Sequence, residues 1–117
     1  MPISSNVEII TTTYPGLDTV QLDTNALAHI QEKHPEVLEQ GVGDIVSTVS
    51  NPDQVYEGNQ PTTNIFVKRS VYRDKQMNLR VATKQLTDTA ARVTTANYTN
   101  ADRTKTQLIW DSTHGNS

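Results

Sequence analysis

Residues 63–100, TNIFVKRSVYRDKQMNLRVATKQLTDTAARVTTANYTN, read as three consecutive antiparallel strands joined by short polar turns, and they decide the fold. A strand sends successive side chains to opposite faces. In the first strand Ile65, Val67, Arg69 and Val71 oppose Phe66, Lys68, Ser70 and Tyr72. In the second, Leu79, Val81 and Thr83 oppose Arg80, Ala82 and Lys84, and in the third Val93, Thr95 and Asn97 oppose Arg92, Thr94, Ala96 and Tyr98. One face of each strand is mainly aliphatic or β-branched and suits packing on a helix, whereas the rest carries cations, hydroxyls and tyrosines and suits an anion. The segments Arg73-Asp74-Lys75-Gln76 and Thr87-Asp88-Thr89 supply the turns. Strand register decides whether Thr95 shares a side with Lys68, and the sequence leaves that open.

Working outward, residues 7–13 (VEIITTT) suit an edge strand, Tyr14-Pro15-Gly16 a turn, and residues 18–22 a second short strand. Asp23 or Thr24 caps a helix that runs through LAHIQEKH and ends near Pro35, because proline disfavours helical geometry in the residue before it. Residues 44–50 (DIVSTVS) space Ile45, Val46 and Val49 as a second short helix, stopped at Asn51-Pro52, and DQVYE follows as a strand. The fold expected is α+β, with N-terminal helices packed on one face of an antiparallel sheet of four strands, or five or six if the ends join it. Residues 1–117 make one domain, divided into an N-terminal strand or arm (1–21), a core (22–100) and a C-terminal segment with a polar tail (101–117). In that last segment residues 107–110 suit a final strand or a short packing segment, with Trp110 expected to be buried.

Composition excludes several classes. No cysteine is present, which removes disulfide frameworks and thiolate metal sites. No apolar run is long enough for a membrane helix, and the N-terminus has no basic segment followed by an apolar one. There is no glycine-rich phosphate loop and no HExxH. His29 and His34 are about 140° apart around a helix, wrong for a shared metal, and neither a metal nor a cofactor is expected. His114 lies in the polar tail DSTHGNS.

Charge is distributed unevenly along the chain. Residues 1–60 carry one base (Lys33) and nine acids, net −8, while residues 61–117 carry nine bases and four acids, net +5. A basic sheet beside an acidic helical layer concentrates phosphates. The two halves neutralising each other across their contact is an equally good reading.

On the first helix His34 falls between Leu27 and Ile30 on the apolar side and is expected to point towards the sheet, whereas His29 falls near Lys33 on the polar side. An inward histidine is more often structural than catalytic, and an isolated His29 suits solvent.

The series HIQEKHPEV, a short helix closing on NPDQVY, a strand closing on VYR, then LRVATK and RVTTANY resembles the small nuclease domains of the barnase/EndoU/colicin/RelE superfamily, of the type found in phage proteins and bacterial polymorphic toxins. The resemblance spans about residues 22–100. It implies a metal-independent ribonuclease, with the histidine before proline matching His34 and the threonine of a last-strand "TA" pair matching Thr95-Ala96. Lys33 and Asn97 depart from the common pattern.

Such cleavage turns the 2'-hydroxyl on the adjacent phosphorus and needs an acid or base, for which histidine is suited, with cations for the developing charge. The candidate catalytic set is therefore His34, Thr95, Lys68, Arg80 and Tyr72. Candidate RNA-binding residues are His29, Lys33, Arg69, Arg73, Lys84, Arg92 and Tyr98. Of the cations, only those on the His34 side can serve catalysis. Tyr72 and Tyr98 suit stacking on a base or cross-strand packing equally, and Thr95 also fits plain β-propensity. The partners expected are RNA, with tRNA one candidate, and a cognate immunity or antitoxin protein, with no membrane and a cytoplasmic site of action. The competing reading is a non-catalytic interaction protein, immunity- or antitoxin-like, whose acidic first half binds a basic partner.

Overall fold

The computed structural model describes residues 8–15, 17–39, 41–72, 74–100 and 107–111. In chain order these form β1 (Glu8–Thr11), β2 (Thr19–Leu22), α1 (Thr24–Lys33), a 3-10 turn (Pro35–Leu38), α2 (Gly43–Ser50), β3 (Gln54–Glu57), β4 (Thr63–Tyr72), β5 (Lys75–Gln85), β6 (Ala90–Thr99) and β7 (Leu108–Asp111). The fold is α+β as expected, but its sheet is larger and mixed. Seven strands lie in the order β1-β2-β6-β5-β4-β3-β7, and β2 runs parallel to β6. The expected meander is its centre: β3 to β6 pair antiparallel in succession, with Phe66 opposite both Val55 and Val81. Residues 107–110 take the strand option, since β7 joins β3 at the edge.

All helices lie on one side. α1 and the 3-10 turn cover β6, and α2 covers β4 and β5 and reaches β1. The Asp23 carboxylate accepts from the Ala26 amide at 2.9 Å and caps α1, which buries Ala26 and Ile30, four residues apart on one stripe. α2 buries Ile45, Thr48 and Val49, and Thr48 Oγ1 donates back to the Asp44 carbonyl at 2.8 Å. These residues meet Leu22, Val55, Phe66, Leu79, Val81 and Val93 in the main core. Tyr56, Ile65 and Val67, with Leu108 against them, form a separate small cluster on the other face. Trp110 is only partly buried, packing edge-on to Tyr14 at 5.9 Å between ring centroids.

One turn is shorter than the sequence suggests. Lys75 and Gln76 belong to β5, because Tyr72 already pairs with Lys75, and Asp74, just before that pair, sits at φ 64°. Asp tolerates this left-handed conformation better than most residues. At the β3–β4 turn, Gly58 lies so close to the Thr63 side chain that no Cβ could be accommodated without displacing it.

Candidate functional site

The sheet separates the sequence-nominated residues into two groups. In β4 the face turned to the helices is Phe66, Lys68, Ser70 and Tyr72, not the more aliphatic Ile65, Val67, Arg69 and Val71. Phe66 outweighs the aliphatic set because it sits against Val55 and Val81 at the middle of the main core. In β6 strict alternation fails at a bulge: Ala82 pairs with Thr95 but Thr83 pairs with Val93, leaving Thr94 extra. The Thr94 hydroxyl donates to the Ala82 carbonyl at 3.2 Å and holds the distortion. As a result Val93 faces the core, whereas Arg92 and Thr95, which plain alternation puts on opposite sides, share the outer face.

That outer face gathers cations. Arg69 of β4, Arg80 and Lys84 of β5 and Arg92 of β6 all lie on it, interleaved with Gln76, Asn78, Thr95 and Asn97. Lys84 stands directly across from Arg92, and Arg80 from Asn97. Thr95 is the diagonal neighbour of Arg80, a separation that a long side chain spans. Arg80 Nε and Thr95 Oγ1 are both buried and have no hydrogen-bond partner among the described residues. A buried donor left unmade costs about 1–3 kcal/mol, more for a charged group. Two such groups side by side make the centre of this face a place where an anion with several acceptor oxygens gains energy. The acids of the first half, Glu32, Glu36, Glu39 and Asp44, stand instead on or beside the helices. These acids lie across the sheet from Arg69, Arg80, Lys84 and Arg92, while Lys68 and Lys75 share the helix side with them.

On the helix side the polar groups are engaged with one another. Lys68 Nζ donates to the carbonyl of Asn51, which ends α2, at 2.9 Å and lies 3.9 Å from Asp53. Tyr72 and Tyr98 stack with centroids 4.8 Å apart. The Tyr72 hydroxyl donates to Glu39 at 3.1 Å and the Tyr98 hydroxyl to Asp44 at 2.7 Å, so two phenols fasten the helical layer to the sheet. Burial, then the hydrogen bond to Asp44 and its charge, push the Tyr98 phenol well above its ordinary value, with Ser70 acting in the opposite direction. Burial also raises the Tyr14 phenol. A phenol whose pKa is raised on folding contributes stability that is complete below the unfolded value near 10 and is lost as pH climbs towards the folded one. Tyr98→Phe is expected to cost about 1–2 kcal/mol at neutral pH and to flatten the alkaline decline, with Tyr14 leaving a residual slope. Urea midpoints measured between neutral pH and pH above 10 test this. Equal slopes in the two proteins would refute it.

His34 is not on the buried stripe of α1. Four residues after Ile30 it would continue that stripe, but Pro35 forces it out of helical geometry, and it becomes the C-cap at φ −142°, ψ 61°. Its side chain is 38% exposed, with Nδ1 3.7 Å from Glu36. Of the nominated catalytic residues, His34, Lys68 and Tyr72 thus belong to the helical side, and Arg80 and Thr95 to the other. His29 and Lys33 are exposed on α1, and Tyr98 is half-buried beneath α2. Arg73 and His114 lie outside the described residues. Residues that the sequence reading passed over are Gln76, Asn78 and Asn97. The first two alternate with Arg80 in QMNLR, a period-2 signal that names their face once β5 is placed. Among the described residues no helix is long and apolar enough to cross a membrane, and no three His, Asp or Glu side chains cluster as a metal site. No family model, curated protein or solved structure matches the chain.

Proposed function

We propose that the chain acts on RNA, holding a single strand on the sheet face turned away from the helices, with Arg80 and Thr95 donating to a phosphate at its centre. The observation that carries this reading is the pair of buried donors Arg80 Nε and Thr95 Oγ1, without a partner among the described residues and set among four cations on one face. Phosphate oxygens supply the acceptors that these groups lack. The surrounding amides and hydroxyls suit ribose and base edges.

The reaction proposed to accompany binding is metal-independent cleavage by 2'-hydroxyl attack, the activity implied by the resemblance to barnase/EndoU/colicin/RelE domains. His34 is half-exposed but stands on the helical side, across the sheet from Arg80 and Thr95, so cleavage through it requires a segment of RNA that passes round to that side. Because the sheet stands between His34 and Arg80, the two make separable demands on RNA. The test incubates wild type, His34→Ala and Arg80→Ala with total RNA in EDTA, reading retained RNA and fragment ends. Cyclic phosphate ends from wild type but not from His34→Ala would support cleavage through that histidine. Cleavage lost only in Arg80→Ala would locate the chemistry on the outer face. Retention without cleavage would leave an RNA-binding protein. No retention by folded wild type would refute the RNA reading in favour of a protein-binding module.

A further inference from the structure

We infer that the cleft at the β4–β5 hairpin end of the outer face is a nucleobase subsite that reads one unstacked base by its acceptor-bearing edge; this rests on the RNA reading above. The cleft encloses about 160 Å³ and is lined by Arg69, Gln76, Met77, Asn78 and Asn100. That is well below the roughly 300–1,000 Å³ of pockets that take drug-sized ligands, so it offers room for one planar ring system and not a whole nucleotide.

Its position follows from register. Asn78 is two residues from Arg80 along β5, a step of about 7 Å on the same face. Arg69 stands directly across from Asn78. A strand whose phosphate sits at Arg80 therefore brings a neighbouring base to the cleft.

The polarity of its wall follows from one hydrogen bond. Arg69 Nη1 donates to Gln76 Oε1 at 3.2 Å, which occupies the Gln76 carbonyl and turns its amide N–H groups elsewhere. The Arg69 backbone amide donates to Asp53 at 2.9 Å and fixes β4 at this point. The Gln76 pair therefore presents donors from the guanidinium and the amide, matching a base edge that offers adjacent acceptors.

The test uses fluorescence anisotropy with labelled single-stranded oligomers, 2'-O-methylated so that they cannot be cut. They are identical except for one central position carrying A, C, G, U or an abasic sugar. Wild type is expected to prefer its best base over the abasic sugar by about tenfold. Gln76→Ala and Asn100→Ala should bring that ratio close to one without changing affinity for the abasic oligomer, whereas Arg80→Ala should weaken every oligomer alike. Equal binding of abasic and base-bearing oligomers by wild type would overturn the subsite and leave the backbone site standing. So would a preference that survives both substitutions. If folded wild type binds no oligomer, the RNA reading fails and the subsite fails with it.

Discussion

Replacing Arg80 with alanine is expected to weaken single-stranded RNA binding by about ten- to a hundred-fold, the loss of charge-assisted hydrogen bonds worth about 1.5–3 kcal/mol. The same change should leave the fold intact. Among the described residues the Arg80 Nε donor is buried without a partner, so removing it relieves a desolvation cost that offsets the packing lost with the aliphatic stem. Arg80→Lys should restore only part of the affinity, because an ammonium keeps the charge but not the planar fork that meets two phosphate oxygens at once. Thr95→Val, which keeps the shape and removes the hydroxyl, should lower affinity by a smaller factor and shift the same contact. Titrations at several salt concentrations, run beside thermal melts, separate the possibilities. A dependence on salt that becomes shallower by about one ion in Arg80→Ala assigns the residue to a phosphate. Unchanged affinity, or affinity that falls only as far as stability does, would remove Arg80 from the site.

The central meander was legible because its signals are local. Alternation over 63–100 announced three strands, and Asp23 and Pro35 bounded α1 to within a residue or two. The outer strands were harder to assign because they are short and their partners are distant in sequence. β2 lies beside β6 through a parallel pairing that no turn announces, and β7 returns to β3 across fifty residues of chain. The candidate site was legible as a list of residue types but not as a place. Two events decided its geometry. The bulge at Thr94 put Arg92 and Thr95 on one face, and the choice of Phe66 over Ile65 and Val67 for the main core turned Arg69 outward and Lys68 inward. Both follow from competition between core positions, and a strand read by itself does not contain its competitors. His34 shows the same limit. Helical spacing assigned it to the apolar stripe, while the proline that ends the helix removed it from that stripe.

The division of labour between the sheet's two faces makes the second large effect a matter of stability. Phe66→Ala is expected to destabilise the protein by about 3–5 kcal/mol, because it empties a fully buried aromatic position at the middle of the main core. Single domains are stable by only about 5–15 kcal/mol in total, so much of the margin would go. Phe66 also meets Tyr14 edge-to-face at 5.7 Å, and Tyr14 in turn meets Trp110 at 5.9 Å, so the cavity opens at one end of an aromatic chain that reaches β7. Trp110 is the only tryptophan, which makes its emission a local reporter of that chain. A red shift in the folded variant, absent in the better-filling Phe66→Leu, is the expected sign that Tyr14 has relaxed towards the vacated site and exposed Trp110. Urea unfolding supplies the free energy, and RNA titration under conditions where the variant remains folded supplies the contrast. Affinity should then match wild type, since the binding groups lie across the sheet from the cavity. A Phe66→Ala protein that stays folded but has lost RNA binding would show that the helix side takes part in recognition. The site would then have to be redrawn to include His34 and the Tyr72–Tyr98 stack.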